Sequence, residues 1–314
     1  MGKQVSDNAL ILVAPTRVAA GNFIATLKDI VSLGKPGILG LLLISTGCPL
    51  ILASAGAVDL QIALCALLGG ALVTTSASAL NCLIDADIDA IMNRTKNRPL
   101  PAGRLGVRTA IIYALITGVL GMCVLFWGTN SIAALTALFG HLFYVVVYSC
   151  WLKRTTAQNI VIGGAAGAVP PMVGIAAATG QIDLTAVMLF LVVFLWTPPH
   201  FWALALNKNE DYKRAGIPML PVTAGRRSTH LQMLIYAILL WVVTNALVVV
   251  SAPLGAFSAV FFNLLGAVFV YRIVRVMRAD SDEVHERLCW KTFGFSLIYL
   301  AVFFLVIVID SAAI

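Results

Sequence analysis

The chain has 314 residues, of which 60% are hydrophobic and only 11% charged, against about 25% charged in an ordinary soluble domain. A soluble fold of this size needs a polar shell around its core, and these residues cannot supply one. A net charge of +7 would suit a nucleic-acid binder on a soluble face, but here the basic residues sit in short segments between apolar runs, where they orient a chain against a membrane.

Residues 1–36 read as a cytoplasmic N-terminal segment. Its apolar stretch Ala9–Pro15 is short and lacks a small-residue cleavage site, so no cleavable signal peptide is expected. Residues 22–34 place Phe23, Leu27, Ile30 and Val31 on one helical face, with Lys28 and Asp29 elsewhere. That spacing predicts an interfacial helix, followed by a turn into the membrane at Pro36 and Gly37.

Nine apolar runs follow, at 37–55, 62–82, 109–127, 131–150, 159–178, 184–206, 231–250, 254–271 and 293–309. Each approaches the roughly 20 residues that a helix needs to cross about 30 Å of hydrocarbon. Lipid offers no partner to an open strand edge, so the runs are helices. The expected fold is therefore an all-α polytopic membrane protein, with 37–311 as a single transmembrane domain. On this assignment all 21 Lys and Arg residues lie on one side: in the N-terminal segment and after spans 2, 4, 6 and 8. The positive-inside rule makes those segments cytoplasmic and puts the C-terminus outside. Cysteines 48, 65, 82, 123, 150 and 289 lack metal-ligand spacing and read as reduced and structural.

The segment after span 2 carries the chemistry: NCLIDADIDAIMNRTKNRPLPAGR, residues 81–104. Asn81, Asp85 and Asp89 are four apart and line one face of a helix extending span 2, while Asp87 points elsewhere unless the helix breaks. Carboxylates crowded at the membrane edge need cations, and hard oxygen ligands suit Mg²⁺, above all when a phosphate completes the shell. Arg94 and Arg98, again four apart, supply guanidinium forks that match phosphate oxygens. An ordinary solvated loop of mixed charge is the plain alternative. Against it stand the helical spacing of the acids, their position beside a span, and a second similar loop.

That second loop is LALNKNEDYKRAGIPMLP, residues 204–221. Asn207 and Asp211 are four apart, with Lys208 beside them and Lys213 and Arg214 following. If the bundle is built from two related halves, the two loops face each other. Between them lie Lys153 and Arg154, with Asn159 opening span 5. Gly163, Gly164 and Gly167 allow close helix packing, and Pro170 and Pro171 should kink the helix. His200, after Trp196-Thr-Pro-Pro, lies inside span 6, where a polar ring needs a partner. A ligand contact, a proton carrier or a histidine satisfied by its neighbours all fit. Trp196, Phe201 and Trp202 could stack on a flat ligand but also serve as packing. His141 is a weaker intramembrane candidate, and His230 and His285 sit at cytoplasmic loop edges with no special role expected.

Segments 81–104, 153–174 and 194–221 resemble the intramembrane prenyltransferase superfamily and, within it, the protohaem IX farnesyltransferases. The strings that carry the likeness are the one above, LKRTTAQNIVIGGAAGAVPPMVG, FLWTPPHFWALAL with DYKRAGIPMLPV, and the lead-in SLGKPGIL at 32–39. The resemblance implies nine helices around a central cavity open to the cytoplasmic face of a bacterial inner membrane. It implies that the farnesyl group of farnesyl diphosphate is joined to a vinyl group of haem B with addition of water, giving haem O and diphosphate. Asn81, Asp85, Asp89 and Asp211 are then the expected ligands of Mg²⁺. Asp85, Asp89, Arg94 and Arg98 carry the catalysis, and Asn81, Lys153, Arg154, Asn159, His200, Lys208 and Asp211 contact substrate. Haem A synthase or terminal-oxidase assembly proteins are the implied onward partners. Many superfamily members have an Asp-rich second motif, whereas Asn207 stands in its first position here, which weakens a second metal site. The competing readings are a prenyltransferase acting on an aromatic or quinone precursor, a cation-binding transporter, and a haem-binding scaffold without catalysis.

Overall fold

Each apolar run must close its own backbone hydrogen bonds in lipid, and in the computed structural model every run is helical. The structure describes residues 23–54 and 57–312, so the stretch Ala9–Pro15 lies outside the described residues. The spanning helices are α2 (Pro36–Ala53), α3 (Leu60–Ile84), α5 (Val107–Gly128), α6 with its continuation (Ser131–Thr155), α8 (Asn159–Thr179), α9 (Leu184–Asn207), α11 (Leu220–Val250), α12 (Ala256–Met277) and α13 (Asp282–Ala312). Short helices α1 (Phe23–Leu33), α4 (Ala86–Ile91), α7 (Lys153–Thr155) and α10 (Asn209–Arg214) lie beyond or at their ends.

Two boundaries differ from the sequence reading. Helix α11 begins at Leu220 rather than near 231, and α13 at Asp282 rather than near 293. Hydropathy marks where apolar residues stop, but a helix continues into water while its backbone bonds are made. Arg226, Arg227, Arg287 and Lys291 therefore ride on helical turns rather than loops. The first turn of α11 is set off by Gly225, whose φ of 74° and ψ of 177° only glycine adopts readily. Span 4 holds a second surprise: after α6 (Ser131–Leu142) the backbone becomes π-helical over Phe143–Leu152 before closing as α7.

The spans pack as a ring in the order α2, α3, α5, α6, α8, α9, α11, α12 and α13, and α13 returns to α2 and α9. Helix α8 is the most enclosed and contacts α2, α6 and α9. Its glycines differ in purpose. A Cβ on Gly163 would lie 2.2 Å from the Tyr148 ring, and one on Gly164 would crowd Thr197, whereas Gly167 faces open space. Pro170 and Pro171 in α8, like Pro198 and Pro199 in α9, lie inside uninterrupted helices.

Among the described residues, the basic side chains gather at one end of the bundle. The other end carries Asp59, Asp183 and Asp310, and each accepts backbone N–H groups at a helix start. Asp59 caps α3, Asp183 caps α9, and Asp310 receives Gly255 and Ser258 at the start of α12. Helix α1 leaves Phe23, Ile24, Leu27 and Val31 exposed. Its Ile30, expected on that face, packs instead with Leu33 against α3 and α5.

Candidate active site

Helix α3 stops one residue before Asp85, which closes α3 and opens α4 with φ −93° and ψ 5°. The helix expected to run on through Asp89 thus breaks at Asp85, but the polar groups still converge. Asn81 Nδ2 donates to Asp85 Oδ2 at 2.7 Å and to Ser149 Oγ at 2.9 Å. Asn81 Oδ1 accepts from Lys35 Nζ at 2.5 Å. Lys153 donates to the same Asp85 oxygen, and Arg98 Nη1 donates to Asp89 Oδ2 at 2.6 Å. Asp85 and Asp89 are 0% and 2% exposed, a burial that carboxylates tolerate only with such partners. One atom is left over: Asp85 Oδ1 is buried with no hydrogen-bond partner.

Two members of this cluster escaped the sequence reading. Lys35 counted there only as a topology marker. It adopts a left-handed backbone, φ 52° and ψ 60°, immediately before Pro36, a conformation that is uncommon for a side-chain-bearing residue. That turn sends Nζ to Asn81, and burial pushes the ammonium pKa down. The string SLGKPGIL marks a constrained turn at Lys35, between Gly34 and Pro36, but not the direction of its side chain. Ser149 had no such signal, because a uniformly apolar run does not distinguish π from α register. Its hydroxyl donates to Tyr144 O five residues back at 2.9 Å, and the π segment brings Ser149 and Lys153 to the Asn81–Asp85 pair.

The remaining predicted residues surround this centre unevenly. Arg94 is exposed and makes no hydrogen bond or ion pair among the described residues. Arg154 is turned outward: its two Nη atoms clasp Asp87 at 2.7 and 2.8 Å and Ile84 O at 2.7 Å, and this hydrogen bonding holds the Asp87 carboxyl below its ordinary pKa. Asn159 is fully buried; its Nδ2 donates to Thr156 O at 2.7 Å, and its Oδ1 has no partner. Lys208 lies over the Trp290 ring, 5.4 Å from the centroid. Asp211 pairs with Arg214 and accepts from Asn93 Nδ2 at 3.4 Å, which joins the two polar loops. Asn93, Lys208, Asp211 and Arg226 line an open pocket of about 410 Å³ between them. Asn207 is occupied by Glu286 O at 3.2 Å.

The histidines fall into two groups. His200 is stacked between Trp196 and Phe293, with centroids 4.1 and 4.8 Å away, and its Nδ1 lies 2.6 Å from Ser296 Oγ. His141 Nε2 meets Ser76 Oγ at 3.1 Å, while its Nδ1 is buried without a partner. His230 and His285, read as loop-edge residues, are buried and face each other with Nε2 atoms 2.9 Å apart. The helical extensions of α11 and α13 account for that burial.

The oxygen donors fit a hard divalent cation. A buried, unpartnered carboxylate oxygen beside Asn81 and Asp89 is the donor chemistry of Mg²⁺. Among the described residues no group of three His, Cys, Asp or Glu side chains is placed to hold a metal; Lys153 and Arg98 pair with Asp85 and Asp89. The same cations match a diphosphate once the acids are released to metal.

Residues 41–308 match the UbiA prenyltransferase family. The chain is 47% identical over 285 residues to a protein of Symbiobacterium thermophilum named protoheme IX farnesyltransferase, covering 90% of this chain and 94% of that one. It is 46% identical over 290 residues to a protein of the same name from Gloeobacter violaceus, covering 91% and 93%. The fold resembles that of a UbiA homolog from Archaeoglobus fulgidus, solved with GPP and Mg²⁺ bound, at TM-score 0.67 and 17% identity over 89% of this chain and 99% of that one. A digeranylgeranylglyceryl phosphate synthase structure aligns at TM-score 0.76 and 18% identity over 92% and 100%. With nine apolar helices among the described residues and buried acids beside Lys35, Lys153 and Arg98, the chain belongs to the UbiA prenyltransferase family of integral membrane enzymes.

Proposed function

We propose that this prenyltransferase joins the farnesyl group of farnesyl diphosphate to a vinyl group of haem B. The C1–oxygen bond of the allylic diphosphate breaks, and C1 bonds to the terminal vinyl carbon. Water supplies hydroxyl to the adjacent carbon and loses a proton, giving haem O and diphosphate. The single observation that carries the reading is the buried, unpartnered Asp85 Oδ1 within reach of the Asn81, Lys153 and Arg98 cluster. The substrate pair comes from the likeness to the two farnesyltransferases.

Asn81, Asp85 and Asp89, with Asp211 from the second loop, would hold Mg²⁺, which would supply Lewis-acid neutralisation of the leaving diphosphate. Lys35, Lys153, Arg94 and Arg98 bind phosphate oxygens, and their charge is placed before the bond breaks, so it favours the separated state over the ground state. Lys208 lies at the rim with Asp211, and Asn159 offers its free Oδ1 as an acceptor. Arg154 holds the α3–α4 turn through Asp87 and Ile84 rather than touching phosphate. The apolar helix faces receive the farnesyl chain and keep bulk water from the allylic cation. His200 serves haem. The basic end of the bundle faces the cytoplasm of the bacterial inner membrane, and an odd number of spans leaves the C-terminus outside. An apolar product passes within the membrane to haem A synthase or terminal-oxidase assembly proteins.

The test is a product assay. Purified protein in detergent, given farnesyl diphosphate, haem B and Mg²⁺, should yield a porphyrin heavier by one farnesyl and one hydroxyl group. Absence of that mass, together with prenylation of a hydroxylated aromatic acid, would reassign the acceptor.

A further inference from the structure

The His200 ring is constrained by α13 to a degree that packing alone does not require. Ser296 Oγ lies 2.6 Å from His200 Nδ1 and 2.6 Å from the carbonyl of Phe293. A hydroxyl has one proton, and a carbonyl can only accept. The proton of Ser296 is therefore committed to Phe293 O, and Ser296 Oγ must accept from His200 Nδ1–H. The carbonyl of Ser296 meanwhile accepts Trp196 Nε1–H at 2.8 Å. Trp196 and Phe293 then close both faces of the imidazole, with interplanar angles of 16° and 24°. One residue of α13 thus sets the tautomer of His200 through its side chain and pins one stacking wall through its backbone. Nε2 is left with a free lone pair: it has no partner among the described residues, and the residue is only partly buried.

A neutral histidine whose Nδ1–H is held by a fixed acceptor and whose Nε2 is open has the arrangement found at metal-ligating histidines. Resting on the reading of haem B as acceptor substrate, we infer that Ser296 is a positioning residue that orients His200 Nε2 as an axial ligand to the haem iron. The flat stack gives the ligand a defined plane, and the 96-residue separation between His200 and Ser296 ties that plane to the packing of α9 on α13. Haem docked on α9 is held by one iron bond and carries its vinyl groups at fixed positions around it.

Haem B binding to the full-length protein in detergent tests this without turnover. Wild type should give a histidine-ligated absorption and resonance Raman signature that His200→Ala loses. Ser296→Ala should weaken haem B binding about tenfold and shift the iron–histidine band, in line with the 10–100-fold effects of such supporting groups. Ser296→Thr, which keeps the hydroxyl, should restore both. Farnesyl diphosphate affinity, which depends on other residues, should stay within about twofold in all three variants and so reports an intact fold. If Ser296→Ala binds haem B with unchanged affinity and spectrum, or His200→Ala keeps the histidine signature, the inference fails and the haem reading stands. If wild type binds no haem B at all, the substrate reading fails first.

Discussion

Lys153 donates to Oδ2 of Asp85, 68 residues earlier in the chain, and leaves Oδ1 of that buried carboxylate without a partner. The lysine side chain is 14% exposed and the aspartate 0%, so the pair balances charge inside the bundle rather than on its surface. One carboxylate oxygen is taken by protein donors and the other is open to a further ligand.

Asp85→Asn keeps the shape and removes the charge. Turnover should fall by at least about 100-fold, the scale of losing one preorganised electrostatic group, with some loss of stability because the buried Lys153 ammonium loses its counter-charge. Lys153→Met breaks the same pair from the other side. It strands a buried carboxylate, and denaturant unfolding in detergent should report a loss of about 3–5 kcal/mol. Full activity in Asp85→Asn would remove the metal assignment.

Metal and diphosphate should bind together. Mg²⁺ alone meets carboxylates already paired with Lys153 and Arg98, whereas Mg²⁺ with diphosphate gives those cations phosphate oxygens in exchange. Calorimetry should show diphosphate raising Mg²⁺ affinity by about tenfold or more, and Mg²⁺ raising diphosphate affinity by the same factor. Chelation should stop turnover. Equal Mg²⁺ affinity with and without diphosphate would contradict the exchange.

The two arginines flanking the acids should separate cleanly. Arg98 is held by buried Asp89, and Arg154 by Asp87, whose side chain is 65% exposed. Arg98→Ala should raise the KM for farnesyl diphosphate by about tenfold, the loss of one charge-assisted contact of roughly 1.5 kcal/mol. Arg154→Ala should change it less than about threefold, as expected of a surface pair. Steady-state kinetics decides, and equal effects would place Arg154 on phosphate.

Gly163→Ala tests the π-helical segment. The new methyl would meet the Tyr148 ring at 2.2 Å, pushing the segment that carries Ser149 and Lys153. Overpacking of this kind should cost about 1–3 kcal/mol of stability and reduce activity. Tyr148→Ala in the same chain should recover part of the stability, and no recovery would mean the strain lies elsewhere.

Hydropathy placed each of the nine spans found among the described residues because desolvating a backbone in lipid is a local cost, met run by run along the chain. It also placed Asn81 beside Asp85, since residues four apart meet on a helix wherever it packs. Local signals failed where long-range packing decides. Nothing near Lys35 in the sequence points 46 residues ahead to Asn81, and nothing near His200 points 96 ahead to Ser296. The π turn at Phe143–Leu152 is invisible in an apolar run, because such a run has no polar periodicity to tell one register from the other. Residue type alone gave Arg154 a place among the substrate contacts, but not its grip on Asp87 and the Ile84 carbonyl, 67 and 70 residues earlier. Composition and spacing therefore determined a membrane bundle with an acidic and basic centre at one end. Only the meeting of α2, α3 and the α6–α7 segment decided which charge holds which, because partners tens of residues apart are chosen by helix packing and not by sequence distance.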